Sequence, residues 1–458
     1  MVSTKQLAEG NIPNLIMKFS GPAIVGMVVM SIYNVVDRIF IGRYVGSLGL
    51  AGVTVSFPLM TVIMALSMLV GIGATALISI RLGEQKNSEA EKVMGNALAL
   101  FLLVSLVLTV FGLAFLDPLL TLFGASANVL PYARDYMQII LWGCVFQILS
   151  FGVNNFIRAE GNPHIAMFTM VIGAVLNIIL DAVLILGLDM GVAGAALATI
   201  ISQAVSAAYV MYYFLRGKSL LKFRPGCLRL QRVLVNEIVA VGAPAFLKQI
   251  ATSLIVVILN NSLLHYGGDM AISAFGAIHS ILVLILMPIF GISQGIQPII
   301  GYNYGAKKFE RVKQTLYLGI LVSTGIVLAA FVAIVLVPER FIALFSTDAE
   351  LVAIGSAGLR GFLAFLPIIG FQITGANYFQ AVGKPRQAVF LNLSRQVLLF
   401  IPALLILPRY YGLAGIWMVG PVADFFSSVI TAICLVIEVR YLDQQEREYT
   451  LRAQFDAQ

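Results

Sequence analysis

Long apolar runs separated by short polar breaks dominate this chain. Twelve such runs can be marked, at 14–41, 51–80, 93–116, 133–157, 164–187, 192–215, 238–264, 271–300, 312–337, 352–380, 388–408 and 413–438. Each reaches the roughly 20 residues that a helix needs to cross the hydrocarbon core of a bilayer. Backbone polar groups in lipid must be satisfied within their own segment, so the runs predict membrane-spanning helices. The residues before the first run are polar and no small-residue cleavage site follows a short apolar core, so an uncleaved first helix is expected.

The twelve spans divide into two sets of six. Residues 15–215 recur in 237–437: Pro22 returns as Pro244, Gly73 as Gly295, Gly83 as Gly305, Lys86 as Lys308, Gly161 as Gly383 and Pro163 as Pro385, all displaced by 222. One residue is then lost, and Gly191 and Gly194 match Gly412 and Gly415 at 221. Six is even, so both halves enter the membrane from the same side and are parallel repeats, related by an axis along the membrane normal. The expected organisation is an amino-terminal six-helix lobe over 1–215 and a cytoplasmic linker over 216–236. A carboxy-terminal six-helix lobe over 237–440 and a cytoplasmic tail over 441–458 complete it. Two lobes flanking a cleft suit alternating access better than a channel, which needs a filter of carbonyls or charge rings.

Composition agrees with a membrane protein: 60% of residues are hydrophobic, 11% are charged and the mean hydropathy is +0.95. The net charge of +7 raises the question of nucleic acid, but its distribution answers it. Loops after even-numbered spans hold sixteen Lys and Arg, and loops after odd-numbered spans hold five. The positive-inside rule then places both termini and the basic loops in the cytoplasm of a multi-pass protein of the cell membrane, with no nucleic-acid partner. The three cysteines are too scattered for a disulfide framework or a metal cluster. Three scattered histidines and no Ser/His/Asp or Cys/His grouping give a membrane-embedded enzyme no support, and no cofactor is expected.

Charged residues inside the spans are the best functional lead, because each costs on the order of 3 kcal/mol to place there. Asp37 lies in YNVVD of span 1 and Asp181 in NIILD of span 5. Tyr33 and Asp37 are four apart, as are Asn177 and Asp181, so each polar pair shares a helix face. The turn between spans 5 and 6 centres near Met190, which brings the Thr199 hydroxyl level with the Asp181 carboxylate; Tyr136 in span 4 sits at a similar depth. Such oxygens suit either a proton or a small hard cation such as Na⁺. For Asp37 the plainer alternative is an interfacial pair with Arg38 or Arg43. The second half lacks this pair, with Leu259 opposite Asp37 and Ala403 opposite Asp181. It carries Lys248, Arg395 and Asp424 instead. Arg395 precedes the turn near Tyr411 by 16 residues and Asp424 follows it by 13, so the two are expected to meet as an ion pair. Pro22 removes a backbone hydrogen bond in span 1 and makes a kink or a hinge there.

YNVVDRIFIGRYVG after a proline in span 1, LGEQKNSEAEKV after span 2, IRAEGNPHIAM between spans 4 and 5, and NIILD in span 5 together resemble the multidrug and toxic compound extrusion (MATE) family. The likeness is to its DinF/MepA-like branch and covers about residues 10–440. It implies an all-α integral membrane protein with twelve transmembrane helices in two parallel six-helix lobes. It also implies a secondary active antiporter that exports cationic or amphipathic compounds in exchange for H⁺ or Na⁺. The family's cation-coupling residues fall on Asp37, Asp181, Asn177, Thr199 and Tyr136, and its bending proline falls on Pro22. Asp37, Asn177, Asp181 and Thr199 would hold Na⁺ if that is the coupling ion. Candidate substrate-binding residues are Tyr33, Asp37, Asn154, Asn155 and Gln249. The partners expected are small cationic or amphipathic molecules and the lipid bilayer, for a protein acting as a monomer. A lipid-linked oligosaccharide flippase of the same superfamily is the alternative. It would want a strongly basic central cavity, for which Lys248 and Arg395 are the candidates.

Overall fold

The computed structural model describes residues 4–216, 219–344 and 349–456. Residues 1–3, 217–218, 345–348 and 457–458 lie outside that description, as do the side chains at 4–5, 38, 42, 47, 225, 269 and 449–456, and so do the parts of the expected segments and of the Asp37–Arg38 pairing that fall on them. Nine helices are long and apolar enough to cross a membrane among the described residues, and two bent pairs add one span each. The first six spans are α1 (Ile12–Asp37), α2 (Leu48–Gly83), α3 (Asn87–Ala114), α4 (Leu130–Trp142 with Cys144–Ala159), α5 (Pro163–Gly187) and α6 (Gly191–Arg216). The next four are α7 (Arg232–Gly268), α8 (Met270–Gly305), α9 (Phe309–Leu336) and α10 (Ala349–Phe362 with Leu366–Ala381). The last apolar stretch, Pro385–Glu448, breaks at Gly412, where φ is +57°, and so supplies α11 (385–411) and α12 (413–448). That makes the twelve that the hydropathy pattern predicts.

The repeat is written into the backbone as well as the sequence. Left-handed φ values occur at Gly46 and Gly268, at Gln85 and Lys307, and at Gly161 and Gly383, each pair displaced by 222, and at Gly191 and Gly412, displaced by 221. The turn after α2, with Gln85 N–H donating to Leu82 O and Lys86 N–H to Arg81 O, is copied after α8 by Lys307 to Tyr304 and Lys308 to Asn303. The 55° bend of α4 at Gly143 has its counterpart in the 51° bend of α10 before Leu366.

The chain forms two compact units. Unit 1 is Val25–Phe246 with the short helix Thr4–Glu9, and unit 2 is Gly10–Ile24 with the chain from Leu247 onward. The cuts fall at Ile24 and Phe246, again 222 apart and two residues after Pro22 and Pro244. Each unit therefore takes in the opening part of the other repeat's first helix. Glycine makes the insertion possible. In unit 1 a Cβ at Gly73 would stand 2.1 Å from Ile238 O, and one at Gly242 would stand 1.7 Å from Leu69 O. In unit 2 the repeat-equivalent Gly295 packs on α1, where a Cβ would come within 2.6 Å of Ser20 N. Backbones this close leave room for hydrogen alone.

In unit 1, α2 is the innermost helix, with two thirds of its apolar window buried, and α3 lies outside it. Leu102, Leu106 and Val110 stand exposed along one stripe of α3, the face a lipid-bathed helix presents. The core of unit 2 is built from Leu259, Phe275, Ile278, Leu366, Leu404 and Trp417 among others. The linker is bound to unit 1 along its length. Leu221 N–H donates to Glu160 Oε1 at 2.8 Å, Lys222 N–H to Glu91 Oε1 at 3.2 Å and Gln231 N–H to Asn96 Oδ1 at 2.7 Å.

Candidate functional site

The acids of the first repeat both lie inside unit 1. Asp181 is 0% exposed and Asp37 8% exposed, on helices whose other faces are apolar. They come close enough for their charges to act on each other, and Tyr33, one turn before Asp37, is within electrostatic range of both. Asn177 is buried at the α5–α6 contact, where its Nδ2 lies 3.4 Å from Thr199 Oγ1. Turned over, the same amide donates to Asp181 Oδ2 at 3.3 Å and accepts from Thr199 N–H at 3.2 Å. The turned orientation satisfies both ends of the amide and is the one the chemistry favours. Asp181 Oδ1 then has no hydrogen-bond partner among the described residues.

Hairpin counting sets Thr199 level with Asp181, and the structure sets it against Asn177, which shares a helix face with Asp181. A π-helical segment, Ala182–Gly187, begins directly after Asp181. A π turn takes in an extra residue for the same advance, so α5 needs more chain than α6 to span the same depth. A second π segment, Ile41–Val45, begins four residues after Asp37. π turns leave no compositional mark, and neither is visible in the sequence.

Tyr136 is buried on α4, and its hydroxyl lies 3.9 Å from Met60 Sδ of α2. Asn154 donates to Ala166 O at 2.9 Å and to Thr169 Oγ1, which ties α4 to α5. Asn155 Oδ1 accepts from Arg158 at 2.8 Å, while its amide nitrogen donates to Phe151 O. The Asn154 amide thus serves helix packing, while the Asn155 amide bonds within α4. Gln249 belongs to unit 2 and is half-buried. Pro22 is buried in α1, two residues before the point at which that helix passes from unit 2 to unit 1.

Among the described residues no three His, Cys, Asp or Glu side chains converge as a metal cluster would require. Mixed oxygens remain: a carboxylate, an amide and a hydroxyl. That donor set suits a proton or a hard monovalent cation rather than a transition metal. An open groove of about 330 Å³ lined by Asp117, Arg134, Gln138 and Trp142 shares no residue with this cluster.

Sequence reasoning missed a buried carboxylate outside the spans. Glu160, just past the end of α4, is fully buried and accepts from Tyr213 at 2.9 Å, Ser219 at 2.5 Å and Leu221 N–H. Burial pushes its carboxyl above the ordinary carboxylate range, against the opposing pull of those donors. The signal was its place in RAEGNP, an acid in a basic loop.

Comparison with known proteins agrees with this architecture. The chain is 32% identical over 411 residues to the multidrug export protein MepA of Staphylococcus haemolyticus (strain JCSC1435), covering 89% of this chain and 90% of the relative. It is 30% identical to MepA of Staphylococcus aureus (strain N315), covering 87% and 88%. The fold superimposes on the MATE multidrug transporter DinF-BH with a TM-score of 0.87 and 42% identity, over 93% of this chain and 95% of that one. It superimposes on a MATE protein solved in complex with MaL6 with a TM-score of 0.91, 26% identity, and coverage of 97% and 100%. The MatE family model matches twice, at residues 22–183 and 244–405, the displacement of the internal repeat. The chain belongs to the MatE family.

Proposed function

We propose that this protein is a multidrug efflux transporter of the cell membrane that exchanges H⁺ or Na⁺ for cationic or amphipathic compounds. The family and the MepA relatives support the export reading, and the burial of Asp181 beside Asp37 supports the coupling. A buried carboxylate beside a like charge is stabilised by whatever neutralises it. A proton, a Na⁺ ion and the cationic head of a substrate all do so, and they compete. Cation entry from outside neutralises Asp181 and displaces the substrate; cation loss to the cytoplasm frees the carboxylate for substrate again. Coupling requires that cation and substrate prefer different states of the protein. Pro22, where α1 changes unit, is the natural hinge between those states. One charge moved through 100 mV supplies about 2.3 kcal/mol, enough for roughly fiftyfold accumulation.

Asp37, Asn177, Asp181 and Thr199 would hold Na⁺ in the sodium-coupled case, and the two aspartates the proton in the other. Both termini face the cytoplasm on the distribution of basic loops, and the protein works as a monomer. No catalytic step is required. The test is equilibrium binding of a fluorescent cationic dye to the purified transporter in nanodiscs. Lowering the pH or adding Na⁺ is expected to release dye from the wild type, and Asp181→Asn to abolish that release. Unchanged competition in the Asp181→Asn protein would remove this site.

A further inference from the structure

Unit 2 lacks the acidic pair, and its own buried charge has the opposite sign. Three of its half-buried cations sit in ion pairs: Lys384 with Glu438 at 2.6 Å, Lys313 with Asp443 at 2.7 Å, and Arg395 with Asp424 at 2.7 Å. Lys248 takes part in none of the described ion pairs. It lies on the inner face of α7 with Ala251, Ile255 and Leu259, which are buried, and away from Ile250, Leu254 and Val257, which are exposed. A lysine reaching for lipid headgroups would project from the outer face. The Lys248 ammonium instead lies 5.3 Å from the centre of the Phe290 ring on α8, within electrostatic range of Arg395. Lys248, Arg395 and Asp424 together leave one positive charge uncompensated.

The helices that carry Phe290 and Asp424 hold further buried donors. Ser293 and Gln297 follow Phe290 by three and seven residues on one face of α8, and Ser293 Oγ and Gln297 Nε2 are buried without a partner among the described residues. Ser428, one turn beyond Asp424 on α12, has a buried hydroxyl in the same condition. Arg395 sits in a π-helical segment, Ser394–Phe400, as the acids of unit 1 sit beside theirs. An unmatched ammonium, idle donors and an aromatic wall in an apolar setting make a receptor for negative charge carried on an apolar body.

We infer that unit 2 holds a binding site for amphipathic organic anions, with Lys248 meeting the anionic group and Phe290 flanking it. The site is separate from the Asp37–Asp181 cluster, so its failure would leave the proposed cation exchange untouched. The probe is dansylglycine, a fluorescent apolar carboxylate, titrated into the full-length protein in nanodiscs and followed by anisotropy, with its neutral methyl ester as control. The acid is expected to bind roughly tenfold or more tightly than the ester, the effect of a charge-assisted contact. Lys248→Gln should erase that preference, Lys248→Arg should keep it, and Phe290→Leu should weaken the acid while keeping an apolar side chain at that position. Elution and melting temperature matching the wild type establish that each variant is folded. Equal binding of acid and ester, or an undiminished preference in Lys248→Gln, overturns the inference.

Discussion

Arg395 and Asp424 meet inside unit 2 with Nε and Nη2 both 2.7 Å from Asp424 Oδ1, and the aspartate is only 4% exposed. Replacing Arg395 by Met keeps much of the side-chain volume but strands a carboxylate among apolar groups. Breaking a buried pair from one side costs about 3–5 kcal/mol, because the remaining charge is desolvated and unmatched. At about 2–4 °C per kcal/mol for a body of roughly this size, the melting temperature should fall by about 6–20 °C. Nearby Lys248 supplies some compensation, which favours the lower end. Replacing both partners, Arg395→Met with Asp424→Leu, removes the stranded charge and should return to within about 1 kcal/mol of the wild type. The assay heats detergent-solubilised protein and measures the monodisperse fraction by size exclusion. An Arg395→Met protein within about 2 °C of the wild type, or a double variant as unstable as the two singles summed, refutes the reasoning.

Two further outcomes follow from the site and the linker. Burial raises the Glu160 pKa from 4.5, so this group's contribution to stability is whole below the unfolded pKa and is lost as pH rises through the raised value. Glu160→Gln should therefore gain on the wild type in melting temperature as pH increases above about 4.5; a difference that stays flat with pH would contradict this. Pro22→Ala restores one backbone hydrogen bond, worth about 1 kcal/mol, and should bias α1 toward its straight form roughly fivefold. Dye turnover in whole cells is expected to fall while dye affinity holds, and unchanged turnover would argue against a hinge at this position.

Much of the fold was legible because lipid imposes a length on every apolar run and the repeat fixes the register of one half against the other. The meeting of Arg395 and Asp424 could be read from their spacing about the turn near Tyr411, and the structure places them in contact. The exchange of half-helices at Ile24 and Phe246 could not be read, since it depends on backbones that approach at Gly73, Gly242 and Gly295. Those glycines look like any packing glycines in a sequence. Of the site, Asp37, Asn177, Asp181 and Thr199 do gather in unit 1, but the π segment that begins directly after Asp181 left no mark in the sequence. The linker was read from its polarity as a simple connection. Its binding to Glu91, Asn96 and Glu160 involves contacts across more than fifty residues of sequence, which local pattern does not reveal.

The most direct measurement loads proteoliposomes with a fluorescent cationic dye and imposes a Na⁺ gradient and a pH gradient separately, for the wild type and for Asp37→Asn and Asp181→Asn. The wild type should move dye against the cation flow under at least one gradient, and both variants, inserted to the same level, should leave the dye at equilibrium. Gradient-driven dye movement that persists in both variants would contradict the claim that this buried carboxylate pair couples cation entry to export.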